Sequence, residues 1–222
     1  MQIEIDKLIR SKRRTIALII ERDGSFTVRA PMRAPHVAIE TFIQQKADWI
    51  TRTRKKIKSI EPTVGKQYAD GEKFLFLGSS FDLKLVGLQK HSLHFDSGFT
   101  LRQSAQIKGE QVFTRWYKSR AFEIISERVE KYSQQYNFAP KQVKISSAKT
   151  RWGSCSPNGT LNFTWRLVMA PLDVIDYVVV HELAHLRVKN HSIKFWRTVE
   201  SICPEYKKQR KWLRENGVKL NL

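Results

Sequence analysis

Cysteines and long apolar segments are scarce in this sequence, and each shortage excludes a class of protein. The chain has 222 residues but only two cysteines, Cys155 and Cys203, and no C-x-x-C pair. This excludes a disulfide framework and leads us to expect a reducing, cytoplasmic location. No stretch reaches the roughly 18 consecutive apolar residues of a membrane-spanning helix. The first residues mix charged and apolar side chains without a signal-peptide core, so we expect no membrane partner.

Acidic residues are also few, because 21 Asp and Glu stand against 40 Lys and Arg, for a formal net charge of +19. This excess favours an anionic partner, and nucleic acid bound through the basic surface is the candidate. Basic clusters lie at residues 10–14 and 52–58. A charged strand edge explains the first cluster equally well, and compensation of a helix dipole explains the second.

The hydrophobic fraction, 41%, supports a packed core, and the mixture of strand and helix patterns predicts an α+β fold. Residues 1–105 are predicted to form an N-terminal β-rich region with one helix, at residues 35–60. Residues 106–222 are predicted to form a second domain. The alternative is that both parts form one integrated unit.

Short strands are predicted at the start of the chain, with a turn at Asp23 and Gly24. Further strands are predicted over residues 73–103, where His91 and His94 have no partner at metal-binding spacing and are treated as surface residues. A long helix should follow to about residue 136.

Two strands are predicted within residues 143–167. The second alternates apolar and polar residues from Leu161 to Leu167, which indicates one buried face. A strand in this position, directly before a long helix, can form the wall of a cleft and pair with an extended peptide through its edge.

The most informative stretch is HELAHLRVKNHS, which contains the pattern H-E-x-x-H at His181, Glu182 and His185. In a helix, residues i and i+4 share one face and lie about 6 Å apart along the axis, so two imidazoles can reach one ion. In a strand they would be about 13 Å apart, which is too far. The metal-site hypothesis therefore depends on a helix.

Helical periodicity after Pro171 supports that helix. Apolar residues recur at spacings of three and four, and the pattern outweighs the strand preference of the β-branched run at residues 178–180. We expect the helix to end around Lys189 and Asn190, so that His191 can fold back as a third ligand.

Three neutral imidazoles suit zinc and leave a fourth position for water, whose pKa falls to about 7 when it binds the metal. Glu182 would lie beside that water as the general base. The alternative is a polar helix face with two ordinary histidines. Tyr177 and Arg166 are candidates for stabilising an oxyanion, although no spacing positions either of them.

A second amphipathic helix is predicted after His191, with Ile193, Val199, Ile202 and either Phe195 or Trp196 directed inward. A short basic helix should follow and end at Gly217.

The segments RWGSC, LNFTWRLVMAP and VVVHELAHLRVKNHSIKFW resemble the YgjP-like metallopeptidases, relatives of the SprT-like zinc proteases. The resemblance implies a compact zincin-like domain that binds Zn²⁺ through His181, His185 and His191, with Glu182 as catalytic acid and base. It also implies a protein or peptide substrate, and SprT-like relatives cleave proteins associated with DNA. Val188 stands where the metzincin pattern has glycine, which argues against a metzincin.

Two alternatives belong to other functional classes. One is a metal-dependent nucleotide phosphohydrolase, which the net charge would suit, although no glycine-rich phosphate loop or acidic cluster for a second metal is present. The other is a nucleic-acid-binding protein with a structural zinc, in which Cys155 or Cys203 would supply a fourth ligand.

Overall fold

The computed structural model describes residues 3–21, 25–58 and 65–222. The chain divides into two compact units, Met1–Val64 and Gly65–Leu222. Helices and sheets occur in both units, so the predicted α+β fold is confirmed. Within the described ranges, no helix combines the length and apolar character that a bilayer crossing requires.

In its described residues, the first unit contains a three-stranded sheet and two helices. Its elements are β1 (Lys7–Ser11), β2 (Ala17–Ile20), β3 (Phe26–Pro31), α1 (His36–Gln45) and α2 (Ala47–Lys58). Strand β3 is central, parallel to β1 and antiparallel to β2. The small core joins the sheet to the helices through Phe26, Val28, Ala30, Ile39, Ile43 and Ile50. The turn predicted at Asp23 and Gly24 lies outside the described residues.

The single helix predicted for residues 35–60 is wrong, because two helices meet at Lys46. Lys46 leaves helical geometry with φ of −108° and ψ of 10°. Its N–H donates to the carbonyl of Ile43 at 3.0 Å, three residues back, so the helix tightens and stops there. The predicted end at residue 60 lies beyond the described part of this unit.

The second unit contains two sheets and four helices. Its elements are β4 (Lys73–Phe76), β5 (Ser79–Val86), β6 (Leu93–Phe95), β7 (Phe99–Arg102), α3 (Gly109–Tyr136), β8 (Gln142–Ser146), β9 (Gly153–Cys155), β10 (Thr160–Thr164), α4 (Leu172–Ala184), α5 (Ile193–Ile202) and α6 (Tyr206–Asn216). Short 3₁₀ helices cover Gln103–Lys108, Trp165–Met169 and Gly217–Lys219. The sheet orders are β4-β5-β7-β6 and β8-β10-β9.

The boundary that the sequence suggests after residue 105 falls inside this second unit. The first sheet packs its aromatic side chains directly onto α3, where the rings of Phe74 and Phe113 stack with centroids 4.1 Å apart. The hydroxyl of Tyr117 also donates to the carbonyl of Leu75 at 2.6 Å. The sheet and the helix therefore share one core.

Helix α3 supports α4, which carries the H-E-x-x-H motif. It runs from Gly109 to Tyr136, as predicted, and ends where Asn137 adopts a left-handed conformation with φ of 52°. From α3, Arg128 donates two hydrogen bonds to the carboxylate of Asp176 on α4, at 2.5 and 2.6 Å. A planar, bidentate contact of this kind fixes the two helices against each other.

Candidate metal centre

Helix α4 positions the first histidine and the glutamate of the motif. It ends at Ala184, earlier than the predicted end near Lys189 and Asn190. The chain turns there because Leu186 N–H and Arg187 N–H bond to carbonyls three residues back, at 2.9 and 3.1 Å. His185, the capping residue, keeps helical dihedrals of −66° and −17°, so it still projects from the same face as His181.

The two histidines of the motif and His191 converge on one point. His191 lies just before α5, and its Nε2 atom is 3.0 Å from Nε2 of His181. Each of His181, His185 and His191 offers one ring nitrogen, and these nitrogens all lie within 4.8 Å of one another. The arrangement can hold a metal ion, since three imidazole nitrogens at this separation surround a volume that suits one cation.

The aromatic ring of Phe195 forms the floor of this cluster. Phe195 is fully buried on α5, and its centroid lies 4.9, 4.5 and 4.8 Å from those of His181, His185 and His191. Trp196 stacks beside His191 at 5.7 Å. These rings limit the orientations that the imidazoles can adopt.

The surroundings of the cluster favour neutral imidazoles. Burial, with the neighbouring His185, His191 and Arg210, lowers the pKa of His181 to about 3. Burial also lowers the pKa of His185. The Nδ1 atom of His185 is 3.1 Å from the carbonyl of Val188, which accepts the Nδ1 proton and leaves the Nε2 lone pair available. Neutral histidines with free lone pairs are the form that binds metal, so the residues present fit a divalent cation.

Glu182 lies beside the histidines and is only 5% exposed. Burial raises its pKa to about 8, against an opposing effect of Arg151. Strand β9 covers this carboxylate at very close range, since a Cβ atom on Gly153 would be 2.6 Å from Oε1 of Glu182. Only glycine allows the strand to approach so closely without displacing the carboxylate.

Strand β9 forms the edge of its sheet beside the cluster. Trp152 O accepts a hydrogen bond from Thr164 N, and Ser156 N donates one to Thr160 O. Because backbone groups alternate in direction along an antiparallel strand, the N–H and C=O groups of Gly153 and Cys155 point away from the sheet. The strand predicted between Leu161 and Leu167 is present as β10, although it ends at Thr164. Its predicted edge position is wrong, because β10 lies in the middle of the sheet.

The residues considered for an oxyanion lie in different places. Tyr177 lines the cavity beside His181 and Glu182, and burial raises its pKa to about 12, so the hydroxyl keeps its proton. Arg166 is not among the residues that line this cavity. Its side chain donates to Asn221 Oδ1 at 3.0 Å and to Ser147 O at 3.2 Å.

Neither cysteine joins the cluster in the part of the chain that the structure describes. The group able to hold a metal consists of the three histidines, without Cys155 or Cys203. Three protein ligands are typical of a catalytic zinc site with an open position, whereas structural sites have four.

Sequence reasoning did not find Gly153 or identify Phe195 as a residue of the site. A glycine inside a strand often marks a close approach of another group, which is the signal that Gly153 offered. Phe195 offered no such signal in the sequence, because its spacing from other apolar residues is that of any amphipathic helix.

Comparison with known proteins identifies the family. A model of the YgjP-like metallopeptidase domain matches residues 14–216, so the chain belongs to the YgjP-like metallopeptidase family. The family depends on a divalent metal and acts on peptide or protein substrates. The protein is therefore a metal-dependent peptidase. This result favours the peptidase hypothesis over the nucleotide phosphohydrolase.

Two solved structures show partial similarity. The metallopeptidase zymogen abylysin of Pyrococcus abyssi is 24% identical over 41% of this chain and 93% of its own, with a TM-score of 0.38. The zymogen jannalysin of Methanocaldococcus jannaschii is 23% identical over 40% of this chain and 94% of its own, with a TM-score of 0.33. No curated protein matches the chain significantly.

Proposed function

We propose that this protein is a zinc-dependent peptidase in which His181, His185 and His191 bind the metal and Glu182 is the general base. The observation that supports it best is the convergence of three imidazole nitrogens within 4.8 Å, next to a buried carboxylate on the same helix. Zinc is the metal that three neutral imidazoles and an open fourth position suit best.

The metal and Glu182 would divide the chemistry between them. A bound divalent cation supplies Lewis acidity, which polarises the scissile carbonyl and acidifies water, and its charge favours the ionised form of Glu182. Glu182 accepts a proton from the attacking water and passes it to the nitrogen of the departing amine. Burial supports this double role, because it raises the pKa of the carboxyl towards the range in which a group can both accept and release a proton.

Strand β9 supplies a surface on which an extended peptide can be held. The outward-facing backbone groups of Gly153 and Cys155 can pair with a substrate strand, whichever side chains it carries. Because Gly153 also touches Glu182, a peptide paired there lies next to the general base. The hydroxyl of Tyr177 is available within the same cavity to donate a hydrogen bond to the developing oxyanion.

The experiment compares the zinc-loaded protein with its Glu182→Gln variant on an unfolded protein such as casein. The parent should hydrolyse casein, and chelation should abolish the activity. The variant should bind zinc with unchanged stoichiometry and lose at least about a hundredfold in kcat. Equal activity of variant and parent would end this mechanism. Nucleoside triphosphates, tested in parallel, should remain intact.

The proposal extends to substrate proteins that are associated with nucleic acid. The net charge of +19 supports this extension, as does the run of basic residues in α2. Duplex DNA should bind with an affinity that falls steeply with salt, and a DNA-bound protein should be cleaved faster than the same protein alone. An affinity that is independent of salt would remove this extension and leave the peptidase proposal intact.

A further inference from the structure

A cavity of about 340 Å³ lies beside the candidate metal centre, between β9, α4 and α6. His181 and Glu182 form one side of it, and Trp152, Tyr177, Arg210 and Arg214 contribute to the rest. The volume falls at the lower end of the range for small-ligand pockets. It is large enough to receive one side chain of a bound peptide.

Basic side chains outnumber acidic ones in the lining of this cavity. Arg210 and Arg214 are four residues apart on α6, so both lie on the face that borders the cavity. Among the lining residues that the structure describes, Glu182 is the one acidic group, and it belongs to the proposed catalytic machinery. A substrate group entering here therefore meets a positive field.

Among the described residues, Arg210 differs from two lysines on the same helix in having no carboxylate partner. Lys207 and Lys208 lie 3.5 Å from the carboxylates of Glu200 and Glu205, respectively. Across the described chain, no carboxylate lies within ion-pair distance of Arg210. Arg210 thus retains the capacity to bind an external carboxylate.

Aromatic rings hold Arg210 in place. Its guanidinium carbon lies 4.9 Å above the ring of Trp196, and that ring stacks on Tyr206 at 5.3 Å. A stacked guanidinium is oriented before the ligand arrives, which reduces the entropy lost on binding. Trp152 and Leu213 contribute apolar surface to the same cavity.

We propose that Arg210 binds a carboxylate of the substrate, so that the enzyme prefers peptides with an acidic group next to the scissile bond. The inference rests on the proposed peptidase function. The carboxylate can come from an aspartate or glutamate side chain or from the free C-terminus of a peptide, and the test separates these two sources.

Binding is measured first, because it does not depend on turnover. The zinc-loaded Glu182→Gln protein is titrated into rhodamine-labelled peptides, and the fluorescence anisotropy gives Kd. The first series consists of amidated alanine-glutamine peptides with a single glutamate at successive positions. The second series has glutamine at those positions and is also amidated. The third series has the glutamine sequences with a free C-terminus.

At one position the glutamate peptide should bind about tenfold more tightly than its glutamine counterpart. Adding Arg210→Gln should remove this difference, and Arg210→Lys should restore part of it. The matched control is Lys211→Gln, which removes the same charge from an exposed position on α6 outside the cavity and should change nothing. If only the third series gains affinity, the ligand is a C-terminal carboxylate. Equal Kd values for all three series would overturn the inference.

Peptide cleavage is then measured with the protein that retains Glu182. This measurement tests the carboxylate subsite separately from the proposed peptidase function. The preferred acidic peptide should show a kcat/KM about tenfold above that of the glutamine peptide, and Arg210→Gln should equalise the two. Cleavage of both at equal rates would overturn the inference and leave the peptidase standing. Tight, Arg210-dependent binding without cleavage of any peptide would support the subsite and contradict the peptidase function.

Discussion

Two regions of this protein contain closely spaced histidines, and only one of them forms a cluster. His91 lies just before the short strand β6, His94 lies on it, and both are exposed. His181 and His185 lie at the end of a buried helix, and a turn returns His191 to them. Closely spaced histidines can therefore hold a metal only when the backbone directs the rings to one point and a packed surface keeps them there.

The largest expected effect comes from removing a ring from the second region. His191→Ala should weaken zinc binding at least about a thousandfold, because loss of a direct ligand exceeds the 10- to 100-fold cost of losing an outer partner. Competition with a chelator of known affinity measures this. The matched control, His94→Ala, should bind zinc as the parent does and show the same zinc-dependent rise in Tm. A loss of zinc affinity in His94→Ala would contradict the assignment of the metal to the second region.

The next effect concerns the packing beneath the rings. Phe195→Ala should lower the free energy of unfolding by about 3–5 kcal/mol, since it leaves a cavity under three imidazoles. Denaturant unfolding with a chelator present measures this without a contribution from metal. Ile193→Ala on the same helix, where the side chain is 73% exposed, should change stability by less than about 0.5 kcal/mol. Similar losses in both variants would show that the floor has no special role.

The smallest effect concerns the strand above the carboxylate. Gly153→Ala should reduce kcat about ten- to hundredfold and leave zinc affinity unchanged, because the new methyl group displaces the Glu182 side chain. Gly87→Ala is the control, since its Cβ would meet nothing within 4 Å. Casein hydrolysis measured beside zinc competition distinguishes a displaced base from a damaged metal site. Unchanged kcat in Gly153→Ala would contradict the close approach of β9.

Local sequence signals predicted the parts of the fold that local forces control. Helix α3 followed from a long apolar period and from Asn137, which ends it. Helix α4 also formed as expected despite its three consecutive valines, because burial outweighs their strand preference. The break at Lys46 carried no glycine or proline signal, so the sequence offered no reason to divide that helix.

The sequence predicted only those residues of the site that lie close together along the chain. A helix was enough to bring His181 and His185 together, and the expected return of His191 agrees with the observed 3.0 Å approach. The predicted inward direction of Ile193 is wrong, because its side chain lies at the exposed start of α5. Contacts between distant segments, such as Gly153 on Glu182 and Arg210 beside His181, required the folded chain.

X-ray absorption at the zinc edge of the zinc-loaded protein measures directly which atoms bind the metal. We expect three imidazole nitrogens and one further oxygen at about 2.0–2.1 Å, and the loss of one imidazole in His191→Ala. A sulfur ligand at about 2.3 Å, or fewer than three imidazoles in the parent, would contradict it.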